Sequence, residues 1–220
     1  MQCLLTELDP AVIAQSGQCF RMTALLGGAF RVLSGDHVLR IEPRQGDACR
    51  FVCAEDDLPL WTDYFDLAAD YAALISRIPA EDTFLRTAAQ SSRGLRILRQ
   101  EPFETLISFI LSQRKSIPAI RGCVEALCDR WGAPLADGLR GFPTPAALAA
   151  ASEDELRACG LGYRAPYVSA AARRIDSGAL SLEALRVLSD EELLQALLTV
   201  SGVGVKVAGC VMLFAYHRLA

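Results

Sequence analysis

Leu197-Leu198-Thr199-Val200-Ser201-Gly202-Val203-Gly204-Val205-Lys206-Val207-Ala208 reads as the end of one helix, a Gly-x-Gly turn and the start of a second helix. Glycine lets the backbone turn tightly and approach a partner closely, and the amides at the N-terminus of the second helix form an anion site that suits a phosphate. Gly202, Gly204 and Val207 are therefore the candidate phosphate contacts. A purely structural corner between two helices would use the same residues. Lys206 separates the two readings, because a lysine amine can attack carbon and form a Schiff base whereas arginine cannot. Lys and Arg together number 22 in this chain, and only Lys115 and Lys206 are lysines. Arginine serves wherever a generic cation is enough, so each lysine asks for a chemical reason.

Outward from the hairpin the helical signals continue. Ser189 with Glu192 and Ser152 with Glu155 have capping-box spacing, and Thr144-Pro145 places a capping hydroxyl before a first-turn proline. Gly132, Gly160 and Gly178 read as helix stops. Phe103, Leu106, Ile107, Ile110 and Leu111 fall at helical spacing, and the pattern continues through Ile117, Ile120, Val124 and Leu127. Between Cys19 and Val52 the period is different. Short runs at 30–33, 37–41 and 49–53, rich in Val, Phe, Leu and Ile, predict a small antiparallel sheet, with Gly35-Asp36 as a tight hairpin turn. The fold class is α+β: a small N-terminal antiparallel sheet over residues 1–92, then a mostly helical domain over 93–220.

A chain of 220 residues with 52% hydrophobic content buries a core as one domain or two small ones. The eight cysteines are irregularly spaced and follow no signal peptide, so they read as reduced, cytosolic thiols. Cys49 and Cys53 lack the partners of a zinc site, and no run resembles an iron–sulfur ligand set, so no metal is expected. The longest apolar stretches, Leu106–Leu111 and Cys210–Tyr216, are too short to span a bilayer, and no membrane partner is expected. The net charge of −4 taken alone argues against a nucleic-acid partner. Its distribution argues the other way: residues 54–83 hold acids against Arg77, while Arg157, Arg164, Arg173 and Arg174 lie in an acid-free segment that could form a basic face.

The hairpin with its lysine, Gly202-Val203-Gly204-Val205-Lys206-Val207-Ala208-Gly209-Cys210, resembles that of the 8-oxoguanine DNA glycosylases, a family of the helix-hairpin-helix glycosylases. Ser16-Gly17-Gln18-Cys19-Phe20-Arg21, Leu98-Arg99-Gln100-Glu101-Pro102-Phe103-Glu104 and Leu161-Gly162-Tyr163-Arg164-Ala165-Pro166-Tyr167-Val168 resemble the same family in the same order, over nearly the whole chain. The resemblance implies a base-excision-repair glycosylase with AP lyase activity on oxidised purines. It also implies base flipping, double-stranded DNA as partner, no cofactor, a monomer, and a cytoplasmic, nucleoid-associated location. Lys206 would be the nucleophile on the sugar C1′. Burial among Val203, Val205 and Val207 is expected to disfavour its ammonium. Cys210, one turn on, would touch the amine and stack on the flipped base; a small core residue is the plainer reading. Gly17 would offer its carbonyl to the N7 proton that distinguishes 8-oxoguanine, or be an ordinary turn glycine. In a dry pocket an unmatched acceptor costs roughly 1–3 kcal/mol. Tyr163 would be the intercalating wedge and Arg164 the reader of the widowed base, unless the pair is a helix-start surface.

The chain departs from the family in several places. Arg114 stands where the family has an asparagine that contacts the orphaned cytosine, and Ala119 where it has a second cytosine-reading arginine. Arg114 and Lys115 would hold phosphates, read another partner, or form a solvated helix end. No acid follows Lys206, whereas the family's catalytic Asp follows the lysine by about two turns and a loop, so the chain is expected to be a C-terminally truncated form. Alternatives are a catalytically impaired DNA-binding remnant, or a glycosylase for alkylated bases, a chemistry that uses an Asp without the lysine.

Overall fold

The computed structural model describes residues 2–4, 8–45 and 48–219. The chain divides into two compact units, Met1–Leu33 with Val38–Arg99, and Ser34–His37 with Gln100–Ala220. The division falls after Arg99 rather than at residue 92, and the reason lies in the first unit's interior. Buried Gln18 donates from Nε2 to the Arg96 carbonyl (2.9 Å) and accepts at Oε1 from the Leu98 amide (2.9 Å). Leu98 is itself part of that core.

The sheet is made of strands β1 (Gln2–Leu4), β2 (Met22–Ala24), β3 (Phe30–Ser34), β4 (His37–Pro43) and β5 (Ala48–Val52), in the order β1-β5-β4-β3-β2. The β1–β5, β2–β3 and β4–β5 pairs are antiparallel. Gly35 turns the β3–β4 hairpin at φ 56°, a conformation that glycine adopts without steric cost. Along β4, Leu39 and Ile41 are buried while Arg40 between them is exposed, the alternation of a half-buried strand. The strand β1 was not anticipated. Helices α1 (Pro10–Gln15), α2 (Leu58–Tyr64), α3 (Tyr71–Ser76) and α4 (Thr83–Ser91) complete the unit. Trp61 and Phe65, fully buried, join Phe51 and Leu39 in its core. The acidic stretch supplies helix caps: Asp70 accepts from the Ala73 amide and Asp82 from the Leu85 amide, each at 2.8 Å.

The second unit is helical: α5 (Pro102–Leu111), α6 (Ile117–Trp131), α7 (Pro145–Ala150), α8 (Glu153–Ala158), α9 (Ala165–Asp176), α10 (Asp190–Leu198) and α11 (Val205–Ala215). Both capping boxes form, and Thr144 accepts from the Ala147 amide at 3.2 Å. Gly160 and Gly178 take positive φ at the ends of α8 and α9. The helical pattern from Phe103 to Leu127 is carried by two helices, because the chain breaks over residues 112–116. Arg114 adopts φ 49° there, and Pro118 opens α6 in its first turn. Helix α11 packs on α5, with Phe109 and Phe214 stacked at 5.6 Å, and it buries Val207, Ala208, Val211 and Ala215. Each buried Val contributes roughly 1.5–3 kcal/mol relative to exposure.

Candidate nucleic-acid interface and nucleophile

Helix α10 ends at Leu198 with Thr199 as its C-cap, and the Val203 amide closes the following turn on the Val200 carbonyl at 3.0 Å. Gly202 then takes φ 80°. A Cβ at this position would lie 2.5 Å from Cγ of Tyr167, so both the conformation and the space demand glycine. Gly204, the extended N-cap of α11, would meet nothing within 4 Å. Gly204 provides no side-chain cap, so among the described residues the first-turn amides of Val205, Lys206 and Val207 receive no capping side chain from that position. The side chain of Val207 belongs to the core, so its candidate contribution is its amide alone. Arg174 brings positive charge to the same corner, donating to the Thr199 carbonyl at 2.6 Å and to its hydroxyl at 3.2 Å.

Lys206 is exposed, which corrects the expected burial. Helix geometry explains it: the buried stripe of α11 begins at Val207, and Lys206 lies beside that stripe with Cys210 one turn further on. Of its three expected apolar neighbours, Val203 and Val207 are core residues while Val205 is 70% exposed. Cys210 is half-buried. Burial pushes its thiol up, and the positive charge of Lys206 pulls it back down, so the two side chains share one face.

Around the hairpin a ring of contacts brings the other candidates together. Gln113, at the break after α5, donates from Nε2 to the Gly202 carbonyl and to the Ile110 carbonyl, both at 3.0 Å. The Gln113 carbonyl accepts from Nε of Arg164 at 3.0 Å and also from Nη2. Arg164 further donates from Nη1 to the Leu161 carbonyl at 3.2 Å and lies 4.2 Å over the ring of Tyr163. Tyr163 meets Tyr167 edge-on with centroids 6.4 Å apart, and Tyr167 underlies Gly202. Sequence reasoning missed Gln113. An amide among charged and hydroxylic residues at a helix end, able to donate and accept at once, was the available signal.

The expected Tyr-Arg surface pair is thereby split. Tyr163 is 52% exposed, free to enter a partner, whereas Arg164 is 5% exposed with its guanidinium on protein carbonyls. As it stands, Arg164 braces the turn that carries Tyr163 and does not present its fork to a base. Arg114 is exposed, and its left-handed backbone is one that asparagine tolerates better than arginine. The basic segment is also less free than its composition suggested. Arg157 pairs with Glu153 at 2.7 Å and Asp154 at 2.9 Å, and Arg173 donates to the Ala149 carbonyl at 3.4 Å, leaving Arg174 as the cation that reaches the hairpin corner. Gly17 belongs to the first unit, where it follows α1 at φ 77° beside the anchored Gln18. A cavity of about 730 Å³ in that unit, lined among others by Tyr71, Ile75 and Arg96, contains none of the candidate residues.

Comparison with known proteins places this geometry. Residues 1–106 match the family model for the 8-oxoguanine DNA glycosylase N-terminal domain, and residues 107–203 match that for the HhH-GPD superfamily of base excision DNA repair proteins. The chain is 31% identical to the N-glycosylase/DNA lyase OGG1 of Arabidopsis thaliana over 97% of its own length, and spans 62% of that protein. MBOgg1 in complex with a low-affinity DNA ligand superposes with a TM-score of 0.91 at 34% identity, covering 96% of this chain and 74% of that one. The 8-oxoguanine glycosylase/lyase of Clostridium acetobutylicum, bound to double-stranded DNA with cytosine opposite 8-oxoguanine, gives a TM-score of 0.89 at 32% identity, with the same coverages of 96% and 74%. With both of its units matched, and with the lysine-bearing hairpin in place, this chain belongs to the 8-oxoguanine DNA glycosylase family.

Proposed function

We propose that the chain excises oxidised purines, 8-oxoguanine foremost, from double-stranded DNA and then cleaves the abasic strand through a Schiff base on Lys206. The observation that carries this reading is an exposed lysine in the uncapped first turn of α11, directly after the Gly202–Gly204 hairpin and one turn before a half-buried thiol. In this reading the first-turn amides hold a backbone phosphate and bring the sugar of a flipped nucleotide to the lysine. Exposed Tyr163 enters the gap left in the stack. The amine of Lys206 forms a bond to C1′ as the glycosidic bond breaks, and the departing base keeps that electron pair. Ring opening gives the Schiff base, and loss of a proton from C2′ expels the 3′ phosphate by β-elimination. Covering DNA supplies the water exclusion that the free protein does not give Lys206. Cys210, one turn beyond Lys206 on the same helix face, is the proposed contact to the base.

Strand cleavage without added alkali is the test. A duplex with one 8-oxoguanine opposite cytosine should be nicked at the lesion by the unaltered chain, and the undamaged duplex should survive. Lys206→Ala and Lys206→Arg should both abolish the nick, since arginine retains the charge but not the nucleophile. An intact lesion duplex, or equal cleavage by Lys206→Arg, would reject the proposal.

A further inference from the structure

Lys206 has a use in the site above; the chain's other lysine has none. The Nζ of Lys115 lies 2.8 Å from Sγ of Cys123 and 2.6 Å from the Gly160 carbonyl oxygen, and that sulfur is 3.4 Å from the same oxygen. Sulfur is larger than oxygen and a weak acceptor, yet this contact is as short as an ordinary N–H···O bond of about 2.7–3.2 Å. Cys123 is 5% exposed and Lys115 is half-buried, so the pair is sheltered. Gly160 makes the approach feasible. It takes φ 81°, and a Cβ there would already stand 3.3 Å from Sγ of Cys123. A second thiol, Cys159, is close in sequence, but its Sγ is directed to the Ala126 carbonyl at 3.7 Å.

We propose that Lys115 and Cys123 form a covalent N–O–S bridge when the protein meets dioxygen. The ammonium of Lys115 first gives a proton to solvent. The amine then loses one N–H hydrogen and the thiol its S–H hydrogen as N–O and O–S bonds form. One oxygen atom of dioxygen enters the bridge, and the other leaves as water with those two hydrogens. Nitrogen and sulfur are oxidised by two electrons each and dioxygen is reduced by four; two equivalents of a dithiol, each becoming a disulfide, return the amine, the thiol and water. An arginine at 115 could hold the Gly160 carbonyl but could not give this amine chemistry, which accounts for a lysine in a chain that otherwise uses arginine. The bridge ties the 112–116 turn to α6 and draws the cation away from Gly160, on the segment that leads to Tyr163.

Mass spectrometry of the full chain tests this without reference to DNA. In reduced protein trypsin cleaves after Lys115. After exposure to oxygenated buffer that cleavage should be lost, and residues 115–121 should appear joined to residues 122–130 with a gain of one oxygen and a loss of two hydrogens. Fragmentation should put the link at Cys123, not Cys128, and dithiothreitol should restore cleavage. Lys115→Arg and Cys123→Ser should each lack the product. Should either variant fail to fold, the oxidised and reduced forms of the unaltered chain decide the matter between them. A link without oxygen between the Cys123 and Cys159 peptides, a link at Cys128, or unchanged cleavage after Lys115 would overturn the proposal.

Discussion

Arg164 shows how one side chain's surroundings decide its work. Buried arginine is costly unless its donors are met, and here the carbonyls of Gln113 and Leu161 meet them while Tyr163 covers one face of the guanidinium. Truncation to alanine leaves those carbonyls without their partner, so Arg164→Ala should lower unfolding stability by about 3 kcal/mol. Arg164→Lys should not restore it, because a point charge cannot span both carbonyls as the fork does. Urea denaturation of the three proteins checks this, and a loss within about 0.5 kcal/mol, typical of surface positions, would show that the guanidinium is not a brace. None of this was legible in the sequence. Arg164 and Gln113 are 51 residues apart, and no local pattern links them. The exposure of Lys206 was missed for a related reason. Apolar neighbours in sequence suggested burial, but at 100° per residue successive positions of a helix face different ways.

At the scale of the element, the hairpin's two glycines should behave differently. Gly202→Ala meets both a positive φ and the body of the Tyr167 ring, and should cost at least about 2 kcal/mol of stability. Gly204→Ala meets open space at φ −96°, so its stability should stay within about 1 kcal/mol of the parent while DNA affinity falls through loss of close backbone approach. Thermal melts and fluorescence anisotropy on one duplex separate the two effects; equal melting losses would mean that Gly202 is not specially constrained. The capping boxes give a pH prediction. Hydrogen bonds from Ser152 and Ser189 hold the Glu155 and Glu192 carboxyls below their ordinary range. A depressed folded-state value makes the contribution complete above the unfolded value of about 4.3 and lost as pH falls through the folded one. The melting difference between the parent and Ser152→Ala/Ser189→Ala should therefore be larger at neutral pH than in acid. A difference that does not change with pH would contradict it. These caps, the Gly35 turn and the alternation in β4 were readable because each is set within a few residues. The break between α5 and α6 was legible only as a solvated helix end at Arg114 and Lys115, since the apolar period continues across it.

For the molecule as a whole, the sequence motifs located the second unit's candidate residues, and tertiary contacts then sorted them. Gln113 links the hairpin to the turn bearing Tyr163 across sequence separations of 89 and 51 residues. Lys115 and Gly160 meet across 45. Motif reading names the residues on such a ring but not which of them face solvent, and this is why Tyr163 and Lys206 emerge exposed while Arg164 does not. In the proposed reaction Lys206 is the nucleophile toward deoxyribose. Reduction with borohydride while the chain acts on an abasic duplex reports that bond directly, because only a Schiff base is converted to a stable amine linkage. A covalent protein–DNA species mapped to Lys206, and missing in Lys206→Ala that still binds the duplex, is the expected result. No adduct from the unaltered chain under conditions where it binds the same duplex, or an adduct that persists in Lys206→Ala, would contradict it.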